Sequence, residues 1–214
     1  MKPDKNYHQQ AVAVFDKYAQ KYLDTYQNVP TYLASYDAFL PLIPCQTGQV
    51  LELGCGTGMI SRYLIAQNVT HQFLLTDLSP AMIHIAAQEV PTAKTCLLDA
   101  RYPKSLNQLF DGIVAGFVLP YINPQEAVLW FKELAACIVP NGALYISYLQ
   151  ADPSESGYKL SSDKQSGCFQ FYYQLEWLQQ ALTQAGFDIK HAADTSPSPD
   201  EIPRQMYIVA TRAQ

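Results

Sequence analysis

Residues 50–58 read Val50-Leu51-Glu52-Leu53-Gly54-Cys55-Gly56-Thr57-Gly58, three glycines at alternate positions directly behind a short apolar run. A strand that turns tightly into a helix exposes unpaired backbone amides and the positive end of a helix dipole, a seat for a polar or anionic ligand. Glycine lets the backbone turn sharply and lets a ligand approach it closely. A dinucleotide fingerprint GxGxxG would use Gly54 and Gly56 and require a third glycine at position 59. Met59 stands there, and Gly58 comes one residue early. This spacing argues against a turn wrapped around a pyrophosphate, and so against a nicotinamide-dependent oxidoreductase.

The segments that follow extend the pattern. QFLLTD ends in Asp77, 19 residues beyond Gly58, and KTCLLD ends in Asp99. Both acids then stand at the carboxyl edge of a sheet, where open α/β sheets bind ligands and where a carboxylate can accept from both ribose hydroxyls. FDGIVAGF and ALYISYL are further strands, and FDIKHA and QMYIVATR a closing pair. Short apolar runs alternating with helical segments indicate βαβ units around a mostly parallel sheet. Ser79-Pro80 and Asn123-Pro124 read as N-caps with a first helical proline, Glu126 completing a capping-box-like arrangement. The second of these helices is expected to stop at Pro140-Asn141-Gly142. CFQFYYQLEWLQQALTQAGF is expected to form one more helix, ending at Gly186.

Ahead of the sheet, Phe15, Tyr18, Ala19, Tyr22 and Tyr26 recur at helical spacing, and Tyr32, Leu33, Tyr36, Phe39 and Leu40 repeat it before Pro41. Two helices are expected there. At 214 residues the chain suits one domain, residues 1–214, and 49% hydrophobic with 15% charged residues is the composition of a compact globular protein. A formal net charge of -5 opposes polyanionic partners, nucleic acid and anionic lipid alike. Five scattered cysteines without a CxxC pair fit a reducing cytosol, with no metal site expected. No segment reads as a signal peptide or membrane span, so a cytoplasmic location is expected.

VLELGCGTG, TDLSPAM and LLDA together resemble the first three motifs of the class I S-adenosylmethionine-dependent methyltransferases, a resemblance running from Gln49 to the C-terminus. It implies a Rossmann-like, doubly wound sheet of seven strands, mostly parallel, with the last strand antiparallel. It implies S-adenosylmethionine as cofactor, with Gly54, Cys55, Gly56 and Gly58 passing under its methionine part and Glu52 positioning the ammonium end. Asp77 would hold the ribose, and Leu78 and Met82 would pack on the adenine. Asp99 would accept from the adenine amino group, beside the Ala100 amide. Phe117, Val118 and Tyr121 match positions lining the methyl-transfer site. After the fourth strand GFVLPYIN lacks the Asn-Pro-Pro-aromatic signature of enzymes that methylate amide or exocyclic amino nitrogens, which points to a small-molecule acceptor.

FDKYAQKYLDTY resembles the lid of small-molecule methyltransferases, in which Tyr18 or Tyr22 would close over the cofactor, making residues 1–44 a helical lid on a core of 45–214. Residues 150–174 are a candidate substrate-gating insertion, with Tyr172 and Tyr173 as acceptor-lining candidates. Of the histidines, only His8 is placed to swing over the site, and no general base is assigned. A sulfonium is already an activated methyl donor, so holding a nucleophile in line and excluding water should dominate. A cofactor-binding module without turnover would share every one of these motifs.

Overall fold

The computed structural model describes residues 6–26, 32–67, 70–160, 164–198 and 200–214. The chain opens with α1 (Tyr7–Lys17), α2 (Ala19–Tyr26) and α3 (Leu33–Asp37). Then follow β1 (Gln49–Leu53), α4 (Met59–Ala66), β2 (Gln72–Asp77), α5 (Pro80–Glu89), β3 (Lys94–Leu97), β4 (Phe110–Ala115), α6 (Pro124–Cys137) and β5 (Ile138–Gln150). A hairpin of β6 (Gly157–Leu160) and β7 (Gly167–Gln170) leads to α7 (Leu175–Gln184), β8 (Phe187–Asp194) and β9 (Arg204–Arg212).

The seven-stranded sheet has the order β3-β2-β1-β4-β5-β9-β8. Pairing is parallel from β3 to β5, and β9 runs antiparallel to both β5 and β8. A parallel sheet covered on both faces needs apolar residues pointing both ways. In β1 this is visible residue by residue: Leu51 and Leu53 join a core with Trp130, Phe131 and Leu182 of α6 and α7, while Val50 joins a second core with Leu64 and Ala86 of α4 and α5. The strand order reverses between β1 and β4, the place where such sheets open a crevice at their carboxyl ends.

Local punctuation acts as expected at two helices: the Ser79 hydroxyl accepts the Met82 amide, and the Asn123 side chain accepts the Glu126 amide. Elsewhere tertiary packing overrides the local reading. The first helix breaks at Tyr18, whose amide still bonds Val14 O, so that α1 and α2 bend over the sheet edge. The helix α6 ends at Cys137 and passes straight into β5, well before Pro140. CFQFYYQ is not helical: β7 takes Gly167–Gln170, and Phe171 and Tyr173 follow in extended chain, donating to Pro120 O and Leu149 O. Period-two packing explains the difference, because Phe169 and Phe171 bury against Tyr7 while Cys168 and Gln170 face the other way.

The N-terminal segment divides in two. Tyr36, Phe39 and Ile43 belong to the α4/α5-side core, with Tyr36 packed on Tyr145 at 5.2 Å. By contrast α1 and α2 lie over the crevice and contact α5 and β7.

Candidate active site

The carboxyl ends of β1 to β4 open into a cavity of about 600 Å³, roofed by α1 and α2 and walled on a further side by the β6–β7 hairpin. Its floor is the glycine loop. Gly54 has φ 61°, and a Cβ there would stand 2.6 Å from Val118 Cγ2, so only glycine lets the β1 and β4 loops approach each other. Gly58, N-cap of α4 at φ 81°, does not line the cavity; a Cβ on it would meet Val90 at 2.8 Å, which makes it a helix–strand packing glycine. Gly56 and Cys55 line the floor, and the Cys55 thiol is buried.

Asp77 stands on the cavity wall at the end of β2. One of its oxygens accepts the Gly56 amide at 2.9 Å and the other the Ser79 amide at 2.9 Å, so the acid ties the glycine loop to the start of α5. Burial pushes its carboxyl above the usual range, against those amide bonds. Glu52 lies one layer deeper, outside the cavity wall, where one oxygen accepts from the Ser61 amide and hydroxyl in the first turn of α4. The other oxygen is buried with no hydrogen-bond partner among the described residues, and burial raises the Glu52 carboxyl to about 8.

On the β3 side, Asp99 and Ala100 line the cavity. Burial pushes the Asp99 carboxyl up, but Arg101 outweighs it, donating from Nη2 at 2.6 Å and from its amide at 3.0 Å. The Ala100 carbonyl accepts Trp130 Nε1 at 2.7 Å. Leu78 sits at the rim, 40% exposed, and Met82 is buried below it. From β4, Phe117 adopts φ 53°, a left-handed conformation rare for an aromatic residue, with its amide donating to Ser147 Oγ at 2.8 Å. Val118 and Tyr121 continue this wall.

The roof is aromatic. A Cβ on Gly56 would lie 3.7 Å from Tyr22 Cε1, so Tyr22 covers the glycine floor directly. Phe15 packs edge-on against both Tyr22 and Tyr121. Tyr18 also lines the cavity, and its hydroxyl is buried without a hydrogen-bond partner among the described residues. Two anchors hold this roof down: Asp16 accepts from Ser79 Oγ and the Ala81 amide, and Tyr7 and His8 bond the Glu126 carboxylate. Burial and the nearby Arg101 lower the His8 imidazole despite Glu126.

Tyr172 and Tyr173 do not line the cavity. Tyr173 donates to Ile122 O and packs on Trp177, while Tyr172 is buried beside Ser156, because the extended chain after β7 turns their rings away from the opening. The hairpin contributes Lys159, Leu160, Gly167, Cys168 and Gln170 instead. Sequence reasoning missed Cys168 and Gln170 by extending α7 backwards, although the alternation in CFQF was the available signal, and it left Lys159 in a polar segment without a role. Arg101 was missed as well, and only its place two residues after Asp99 could have found it.

A model of the methyltransferase domain matches residues 25–192. Among curated proteins, the malonyl-[acyl-carrier protein] O-methyltransferase of Priestia megaterium is 26% identical over 145 residues, 64% of this chain and 52% of that protein. The biotin biosynthesis bifunctional protein BioCD of Bordetella avium is 28% identical over 102 residues, 47% of this chain and 22% of its own length. The matched region is thus about half of the first relative and a smaller part of the second. Among solved structures, the DhpI-SAM-HEP complex superposes with a TM-score of 0.75 at 16% identity, covering 99% of this chain and 100% of that one. An S-adenosylmethionine-dependent methyltransferase from Clostridium acetobutylicum gives 0.71 at 14% identity, with 94% and 100% covered. The fold is common to both solved structures, and the family match spans most of the sequence: the chain belongs to the methyltransferase-domain family and has the class I S-adenosylmethionine-dependent methyltransferase fold.

Proposed function

We propose that the protein transfers a methyl group from S-adenosylmethionine to a small-molecule acceptor, giving S-adenosylhomocysteine. The observation that carries this reading is the convergence of the glycine loop, Asp77 and Asp99 on one cavity under an aromatic roof. The residues fit such a donor. Between Gly56 and Tyr22 a side chain on the floor would fill the gap, and 600 Å³ is within the ordinary range for a ligand of this size. In the reading, Asp77 holds the ribose hydroxyls, Leu78 and Met82 flank the base, and Gly54 and Gly56 floor the amino-acid end. Asp99 holds the base edge while Arg101 fixes its carboxylate in place. The unpartnered Glu52 oxygen beneath the loop is a further polar group near the amino-acid end.

When bound, the donor supplies an electrophilic methyl group on a positively charged sulfur. The protein's share of the work is positioning. Tyr22 and Phe15 offer ring faces and edges to a cation and exclude water, and Phe117 and Tyr121 shape the approach of the acceptor. Alignment supplies roughly 7 to 11 kcal/mol in favourable cases, whereas a general base typically adds about 100-fold to 10,000-fold. The curated relative named for O-methylation of a malonyl group supports an acceptor outside the nucleic acids, as does the chain's net charge of -5.

The test is isothermal titration with S-adenosylhomocysteine, with NAD as control. Saturable heat with the first and none with the second supports the reading, and heat with NAD alone overturns it.

A further inference from the structure

The β6–β7 hairpin brings Lys159, Cys168 and Gln170 to the cavity wall. Its register pairs Lys159 with Cys168 and Gly157 with Gln170, and directly opposed residues share a face. Lys159, Cys168 and Gln170 of that face line the cavity, together with Leu160 and Gly167, while Phe169 packs on Tyr7. A side chain on Gly167 would stand 2.3 Å from Lys159 O, so the two strands are held at close approach and the register is tightly specified.

The charges in this wall are one-sided. The Lys159 ammonium donates to Glu155 O at 3.2 Å and lies 5.0 Å over the Tyr172 ring, and it forms no ion pair among the described residues. Gln170 Nε2 reaches the Tyr121 hydroxyl only at 3.5 Å. The Tyr121 hydroxyl is buried and burial raises it, so it stays neutral, and it hydrogen-bonds the Cys168 thiol, from which an incoming oxyanion would draw it. On the roof, the Tyr18 hydroxyl is buried with no hydrogen-bond partner among the described residues. The described carboxylates that line the cavity are Asp77 and Asp99, at the ends of β2 and β3, and both are engaged, one by backbone amides and one by Arg101.

Resting on the methyl-transfer reading above, we propose that the acceptor carries an acid oxyanion, carboxylate or phosphoryl, seated by Lys159, Gln170 and Tyr121. A cation, a tyrosine hydroxyl and an amide, facing no free carboxylate among the described residues, form a set of donors that recognises an anion and discriminates against an amine. The chemistry agrees with the rest of the site. The acceptor oxygen forms the new O–CH3 bond as the donor's S–CH3 bond breaks and the electron pair stays on sulfur. The negative charge of the oxyanion and the positive charge of the sulfonium disappear together. No proton is released, so no base is needed, in keeping with His8 being engaged with Glu126.

The test uses the full chain loaded with S-adenosylhomocysteine and reads thermal stability and titration heat, not turnover. The probes are benzoate and phenyl phosphate, with benzamide and methyl benzoate as neutral counterparts. The acids should bind and the neutral molecules should not. Lys159→Met should weaken the acids about tenfold or more, Lys159→Arg should restore most of it, and both variants should bind S-adenosylhomocysteine as the wild type does. The tighter of benzoate and phenyl phosphate tells carboxylate from phosphoryl. Equal binding of neutral probes, no binding of either acid, or acids unaffected by Lys159→Met would overturn the proposal. Loss of S-adenosylhomocysteine binding by the wild type would instead overturn the methyl-transfer reading itself.

Discussion

At the scale of single residues, two carboxyls carry predictions of different kinds. Asp77→Ala removes the proposed ribose contact and also the acceptor for the Gly56 and Ser79 amides. Titration should show S-adenosylhomocysteine binding weakened by about 1 to 3 kcal/mol, with a lowered but still cooperative melt. Glu52 differs, because its value of about 8 in the fold lies above the ordinary 4.5. The folded protein therefore holds this proton more tightly than the unfolded chain does. The resulting stabilisation is complete below the ordinary value and is lost as pH rises to about 8. Denaturant melts should show wild-type stability falling against Glu52→Gln between about pH 5 and about pH 8, by at most roughly 1.4 kcal/mol per unit. A constant difference would show that Glu52 does not titrate there.

At the scale of elements, α1 and α2 serve the site while the segment after them serves the core. Phe39 is wholly buried, and its ring occupies the space that a Cβ on Gly112 of β4 would enter. Phe39→Ala should cost about 3 to 5 kcal/mol of stability. Tyr22→Ala, over the glycine floor, should weaken S-adenosylhomocysteine binding and leave the melt within about 1 kcal/mol of wild type. Denaturant unfolding and titration of both variants separate the two roles. Similar stability losses in both would place α2 in the core. The hairpin is the element least legible beforehand: ADPSESGYKLSSDKQSG is polar and glycine-bearing, and β6 and β7 pair only because Gly167 allows close approach.

For the molecule as a whole, a ligand bound in the cavity would touch the roof, the glycine loop and the hairpin at once. Saturating S-adenosylhomocysteine, at about 100 times its dissociation constant, should stabilise the fold by about 2.7 kcal/mol, read as a rise in Tm. Unchanged Tm would mean that the cavity does not hold this ligand. Among the described residues no helix is long and apolar enough to cross a membrane.

The order of the strands in the seven-stranded sheet and of the helices between them, the glycine loop and the acids at or just after two strand ends were legible in the sequence, because each depends on local periodicity or on the backbone freedom of a particular residue. QFLLTD coincides with β2, and Ser79 and Asn123 cap the helices they precede. Only the tertiary structure decided which aromatic residues face the cavity. The chain has fifteen tyrosines, and in amphipathic segments a core residue and a site residue obey the same spacing. Tyr22 covers the floor while Tyr145, Tyr148 and Tyr173 are buried in the core. Strand register likewise sets Lys159 opposite Cys168, both of which line the cavity, a pairing that a shift of one residue would undo.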